Sequence, residues 1–233
     1  YCPDPVAEVQ ACREAIDLEF VVEDLPKLLL SMKVGADRIR QIVLSLRNFS
    51  RSDEAGMKPV DIHEGIDSTL LILQNRLKAS ANHPEIQVVK KYGNLPLVEC
   101  YTGQLNQVFM NLLSNAIDAI NDHNQTRSKE VEVIRKIVIE TQVLGPNAIT
   151  VRIQDTGSGI PNRVQQRIFD PFFTTKPVGQ GTGLGLSISY QIITERHGGS
   201  LECFSELGQG AEFVLTLPIE HRGGTANRAT FSN

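Results

Sequence analysis

Asn111 and Asn115 lie in a stretch whose apolar residues Leu105, Val108, Phe109, Leu112, Leu113, Ala116 and Ile120 recur at helical spacing. Their separation of four residues is about one helical turn, so both amides stand on neighbouring turns of one face. Mg²⁺ is a hard cation that takes oxygen ligands. It keeps several waters and needs only one or two oxygens from protein when phosphates supply the rest. A neutral amide carbonyl suits an ion that already faces triphosphate charge. Alone, the pair also fits two solvated helix asparagines.

Asp155 ends a run that alternates like a strand and is followed by Gly157 and Gly159. A carboxylate there can accept a hydrogen bond from an exocyclic amine such as that of adenine, and the glycines let backbone approach a flat base. An Asp-x-Gly-x-Gly run alone is equally compatible with a strand-ending turn. Further on, Gly179, Gly181, Gly183 and Gly185 run into a helix beginning near Leu184. Glycine-rich backbone feeding a helix N-terminus offers free N–H groups to phosphate. No Gly-Lys-Ser/Thr follows, and Leu184 occupies the third glycine position of a dinucleotide fingerprint, so neither of those loops is present. A flexible surface loop is the alternative. Between these segments, Phe169-Asp170-Pro171-Phe172-Phe173-Thr174-Thr175-Lys176 reads as an aromatic anchor for one end of a mobile lid. Lys176 can meet phosphate or stay solvated.

These residues need elements to hold them. Apolar residues at Leu25, Leu29, Met32, Ala36, Ile39, Val43, Leu46 and Phe49 form one narrow stripe on a helix from Asp24, as cap, to about Arg51. That stripe suits a coiled-coil or bundle hairpin, with a long surface helix as the alternative. Residues 1–23 are expected to be a loop or remnant of that hairpin, 24–52 its second helix and 53–60 a linker. A catalytic domain is expected over 61–220, and a disordered tail over 221–233. Within the domain, helices are predicted at Ile62 to Lys78 and at Thr102 to Ile120, the latter capped by Thr102. A short helix follows Pro161, and another spans Leu184 to His197. Strands are predicted at Ile86 to Tyr92, Lys136 to Leu144, Ala148 to Asp155, Ser200 to Ser205 and Ala211 to Leu217. The order suggests an α+β fold, a two-layer α/β sandwich.

At 233 residues, 41% hydrophobic and 21% charged, the chain has the composition of an ordinary globular protein. A net charge of -4 gives no electrostatic reason to expect nucleic acid or anionic membrane as partner. No apolar run would cross a bilayer and nothing resembles a signal peptide. Cys2, Cys12, Cys100 and Cys203 lack metal-type spacing and read as reduced cytosolic thiols, which points to a cytoplasmic location. The chain begins Tyr1-Cys2-Pro3 without an initiator Met, which suggests a piece of something longer.

The segments Asn111 to Ile120, Asp155 to Ile160, Phe169 to Lys176 and Gly181 to Ser189, in this order, resemble the four nucleotide-binding boxes of sensor histidine kinases. That family's catalytic domain has the Bergerat-type ATP-binding fold and shares a superfamily with DNA gyrase B subunits, the ninety-kilodalton heat-shock chaperone and MutL. The resemblance covers about Asp61 to Ile219, and Ala36 to Arg51 is similar to the second helix of the kinases' dimerisation hairpin. It implies ATP and Mg²⁺ as cofactors. Asp155 would bind the adenine amino group, Asn115 would coordinate Mg²⁺ with Asn111 assisting, and Lys176 would join them in catalysis. It also implies nucleotide contacts from Asp118, Gly157, Gly159 and Ile160, from Phe173, Thr174 and Thr175, and from Gly181, Thr182, Gly183, Leu184, Gly185 and Leu186. Implied partners are a response regulator receiver domain and, through the hairpin of the full-length protein, a second copy of the chain.

Relatives that hydrolyse ATP carry a Glu four residues before the metal-binding Asn; here that residue is Asn111. An amide is not a useful general base, which favours phosphoryl transfer over hydrolysis. Where many relatives place Ser or Thr after the glycine of the last hairpin, this chain has Ala211. The kinases phosphorylate a histidine upstream of the hairpin's second helix, yet no histidine precedes His63. His63-Glu64 follows that helix, so the acceptor is expected outside this sequence. A superfamily ATPase or nucleotide-driven clamp is the main competing function; a serine-directed kinase of the anti-sigma type and a non-catalytic nucleotide-binding scaffold are others.

Overall fold

The computed structural model describes residues 20, 22–33, 35–36, 56–79, 84–126, 134–176 and 181–220. The chain forms two compact units, Tyr1–Leu46 with Lys176–Gly181 and Arg47–Thr175 with Thr182–Asn233. In the first, residues 22–33 and 35–36 are helical. Helix is already formed at 22 and 23, so Asp24 lies inside it and does not cap it. Leu25, Leu29 and Met32 are exposed there. The expected hairpin segments 1–19 and 37–52 and the tail 221–233 lie outside the described residues.

The second unit is a two-layer sandwich. Its strands are β1 (Lys58–Val60), β2 (Gln87–Tyr92), β3 (Val98–Cys100), β4 (Lys136–Leu144), β5 (Ala148–Asp155), β6 (Ser200–Glu206) and β7 (Gly210–Pro218). Its helices are α1 (Ile62–Leu77), α2 (Thr102–Thr126), α3 (Asn162–Gln165) and α4 (Gly185–Gln191), the last continuing as a π-helical turn, Ile192–Arg196. Five strands form one sheet in the order β2-β4-β5-β7-β6, parallel only between β2 and β4. β1 and β3 form a separate antiparallel pair. Lys58–Val60 was expected in the linker; at three residues it is too short to show a strand period.

Strand alternation decides the two faces of the sheet. Ile137 and Ile139 on β4, Ile149, Val151, Ile153 and Asp155 on β5, and Phe213, Leu215 and Leu217 on β7 are buried. Lys91–Glu140 and Arg152–Glu212 ion pairs occupy intervening positions. The helices close the core with Ile62, Ile66, Leu70, Leu73 and Leu77 of α1 and Leu105, Val108, Phe109, Leu112, Leu113 and Ile117 of α2. Each such side chain contributes roughly 1.5–3 kcal/mol on burial. Asp61 caps α1, its Oδ1 accepting the N–H of His63 at 2.8 Å.

Two expectations for α2 fail. It runs on to Thr126, because the polar stretch after Ile120 holds no proline or glycine to stop a helix already formed. Thr102 does not cap it; it is the first helical residue and its Oγ1 is buried without a hydrogen-bond partner. The helix expected from Leu184 to His197 is divided by the π turn. There the buried His197 pairs its Nδ1 with the carbonyl of Ile192 at 2.8 Å, while its Nε2 accepts the N–H of Tyr101 at 3.1 Å. That second bond fixes Nδ1 as the donor. His63 likewise has structural partners, Thr141 Oγ1 at 2.9 Å and the ring of Tyr92 stacked at 4.2 Å.

Candidate nucleotide site

Asp155 is the last residue of β5, turned to the helix-covered face, and is 4% exposed. Its Oδ1 accepts the N–H of Gly157 at 2.8 Å and that of Ala211 at 3.4 Å. Burial pushes the carboxyl from its ordinary 3.8 up to about 6, against the pull of those two N–H groups. No hydrogen bond among the described residues engages Oδ2. A carboxylate with one oxygen held and the other open is set to accept from an amine. Ala211 takes part through its backbone, so the missing hydroxyl leaves this anchoring intact.

Gly157 is demanded by packing. A β-carbon there would lie 2.7 Å from Cβ of Ala119 on α2, so the turn after Asp155 can press against that helix only without a side chain. The next residues are held from the β6–β7 hairpin. Ser205 Oγ accepts the N–H of Ile160 at 2.8 Å and donates to the carbonyl of Gly210 at 2.6 Å. Gln165 Nε2 donates to the carbonyls of Ile160, at 2.9 Å, and of Ser205, at 2.5 Å. Gly159 and Ile160 are half-buried between these supports. Nothing in the sequence marked Ser205 or Gln165, because their role follows from the pairing of Ser205 with Ala211 across the hairpin.

Asn111 and Asn115 are both half-buried on successive turns of α2. Asn111 Nδ2 donates to the carbonyl of Gly185 at 3.0 Å and to Ser189 Oγ at 3.1 Å. Its two N–H bonds are thereby spent and Oδ1 is left as a free oxygen. The side chain of Asn115 has no hydrogen-bond partner among the described residues. Two amide oxygens on one face fit a hard divalent cation that draws its remaining ligands from phosphate and water. Asp118, on the turn after Asn115, instead forms an ion pair with Arg76 of α1 at 2.5 Å.

The aromatic segment is anchored at two of its three phenylalanines. Phe169 packs on the core and meets the ring of Tyr190 at 5.0 Å, tilted by 33°, and Arg167 covers the ring of Phe173 at 4.6 Å. Phe172 is 74% exposed. Its backbone sits directly against Gly183, where a β-carbon would overlap it, so the aromatic and glycine segments touch at this point. Thr174 and Thr175 are exposed, whereas Thr182, Leu184 and Leu186 are half-buried. Thr182 Oγ1 accepts the N–H of Leu184 at 3.3 Å, just before Gly185 opens α4. Lys176 and Gly181 belong to the other compact unit, and Gly179 lies outside the described residues.

Residues 101–221 match the family described as histidine kinase-, DNA gyrase B-, and HSP90-like ATPase. Over 82% of its length the chain is 35% identical to the sensor kinase CckA of Brucella abortus (strain 2308), of which it spans 20%. Over 80% of its length it is 32% identical to the signal transduction histidine-protein kinase AtoS of Escherichia coli (strain K12), of which it spans 28%. The chain therefore spans well under half the length of these curated relatives. Among solved structures, the catalytic domain of histidine kinase ThkA superposes with a TM-score of 0.57 at 28% identity, covering 71% of this chain and 97% of that one.

Proposed function

The chain belongs to the histidine kinase-, DNA gyrase B-, and HSP90-like ATPase family, and on that premise we propose that it is the ATP-binding catalytic portion of a sensor histidine kinase. It passes the γ-phosphoryl group of ATP to a histidine outside this sequence, from which it moves to an aspartate on a response regulator receiver domain. The full-length protein works in the cytoplasm as a homodimer through its helical hairpin.

The residues divide the work. Asp155 accepts the adenine amino group on its open oxygen, with Gly157, Gly159 and Ile160 shaping the slot for the base. Gly181, Gly183 and Gly185 offer backbone N–H groups to the phosphates, with Thr182, Leu184 and Leu186 supporting that turn. Phe173, Thr174, Thr175 and Lys176 begin the lid over the nucleotide. Asn115 and Asn111 hold Mg²⁺ through their amide oxygens. The ion, when bound, neutralises charge developing on the transferred group. Asp118 contributes from the margin of the site while paired with Arg76.

The observation that carries this reading is the engagement of Asn111. The residue placed where a hydrolytic relative keeps its base is an amide whose protons are bound to Gly185 and Ser189. An amide does not serve as a general base to draw a proton from water. The discriminating experiment is steady-state ADP release by the chain in Mg-ATP. A kinase lacking its acceptor releases ADP no faster than background, whereas sustained turnover identifies a clamp-type ATPase.

A further inference from the structure

We infer that Ser189 is a positioning residue, which locks the side-chain amide of Asn111 so that its carbonyl oxygen is the end left for the cation. The inference rests on the Mg-nucleotide reading of the site.

A carboxamide is nearly symmetric in shape, and only its hydrogen bonds decide which end faces which neighbour. The carbonyl of Gly185 is an acceptor and can be met only by the NH₂ end, which it receives at 3.0 Å. Ser189, one turn further along α4, is fully buried. Its hydroxyl has a single proton, which it donates to the same Gly185 carbonyl at 2.8 Å. What it turns to Asn111, at 3.1 Å, is therefore lone-pair density, so Ser189 too can be met only by the NH₂ end. Two acceptors converge on one nitrogen with two protons. A flipped amide would set Oδ1 against two oxygen atoms, one of them fully buried, at a cost of one to a few net hydrogen bonds.

The same bonds join two elements. α2 carries Asn111 and Asn115, and the first turn of α4 follows directly on the glycine segment. Ser189 thus reaches the Asn111 side chain from the helix that follows the glycine segment. Alanine at this position keeps the helix and loses one of the two acceptors, leaving one N–H of Asn111 unpaired and its amide freer to turn.

The test compares wild type with Ser189→Ala in the whole chain, measuring ATP affinity by calorimetry in Mg²⁺ and again in EDTA. Loss of one net hydrogen bond predicts that the Mg²⁺-dependent gain in affinity falls about three- to tenfold in the variant. Affinity in EDTA stays within about twofold of wild type. Equal losses under both conditions make Ser189 merely structural and overturn the inference, as does no loss in either. A wild-type chain that gains nothing from Mg²⁺ overturns the Mg-nucleotide reading itself. A second readout needs no variant: both side-chain NH₂ protons of Asn111 should exchange slowly with solvent in wild-type protein, and rapid exchange of both would contradict the lock.

Discussion

The backbone of Gly210 passes so close to Asp155 that a β-carbon at 210 would overlap the Asp155 carbonyl oxygen. Gly210 also has a φ of 87°, a value glycine adopts freely. Gly208, two residues earlier in the same turn, has a φ of 81° but open space around it. Alanine at 208 therefore meets backbone strain alone and is expected to cost about 1 kcal/mol. Alanine at 210 adds a clash with backbone that cannot yield, and is expected to cost roughly 3 kcal/mol or more and to abolish ATP binding. Urea denaturation of both variants checks this, and equal costs would mean that the close approach is not maintained in solution.

On the proposed role of Asp155 in holding the adenine amine, its raised pKa predicts a pH dependence of ATP binding. Only the carboxylate accepts the amine well, so affinity should fall as pH drops from 7 through about 6, the value to which burial pushes this group. Asp155→Asn should bind weakly at every pH, without that inflection. Titrating affinity by calorimetry between pH 5 and 8 separates the two.

The same shift has the opposite sign for stability. A carboxyl raised from 3.8 to about 6 on folding favours the folded state fully below 3.8, and that contribution disappears as pH rises through about 6. By pH 7 the nucleotide-free protein carries a cost of about 3 kcal/mol for keeping this group ionised and buried. Asp155→Asn is accordingly expected to raise the melting temperature at pH 7 while destroying nucleotide affinity. A variant that loses both would show that the carboxylate is a net structural contributor.

The carboxylate variant Asn111→Asp tests whether charge or geometry governs position 111. A carboxylate is the stronger ligand for a cation, so charge alone predicts tighter Mg-ATP. The bonds to Gly185 and Ser189 require a donor, and Asp would instead bring acceptor against acceptor. Weaker Mg-ATP binding, and a stability loss of about 1–3 kcal/mol, are therefore expected.

His197 is expected to matter for folding and not for chemistry. His197→Ala leaves the N–H of Tyr101 and the carbonyl of Ile192 without the partners they have now. A loss of about 2–4 kcal/mol follows from those unpaired groups and the cavity. Nucleotide affinity below the melting transition should stay within about twofold.

Much of the frame was legible because two periods and a few obligatory residues carry it. Lys136–Leu144 and Ala148–Asp155 have the bounds that alternation gives, and the Gly145-Pro146-Asn147 turn joins them. At Asp155 and Gly157 the spacing alone left a strand-ending turn equally open, and it is the burial of the carboxylate and the packing of Gly157 on Ala119 that the structure adds. The β1–β3 pair could not be read, since three residues do not establish a period. His197, which closes the π turn, is held by Tyr101 from a distant segment, a contact that no local pattern announces. Ser189 was hidden for the same reason: its partner Asn111 lies far away in sequence, and a serine within an apolar run carries no mark of what it will meet.

On the function proposed, this chain donates phosphate to a histidine on another polypeptide segment. Labelled Mg-ATP, mixed with the chain and a separately purified helical hairpin from a sensor kinase of this family, tests it directly. Acid-labile, alkali-stable label on the hairpin, absent when its acceptor histidine is replaced and absent with Asp155→Asn, is the predicted result. Steady ADP release with no label on any protein would contradict it.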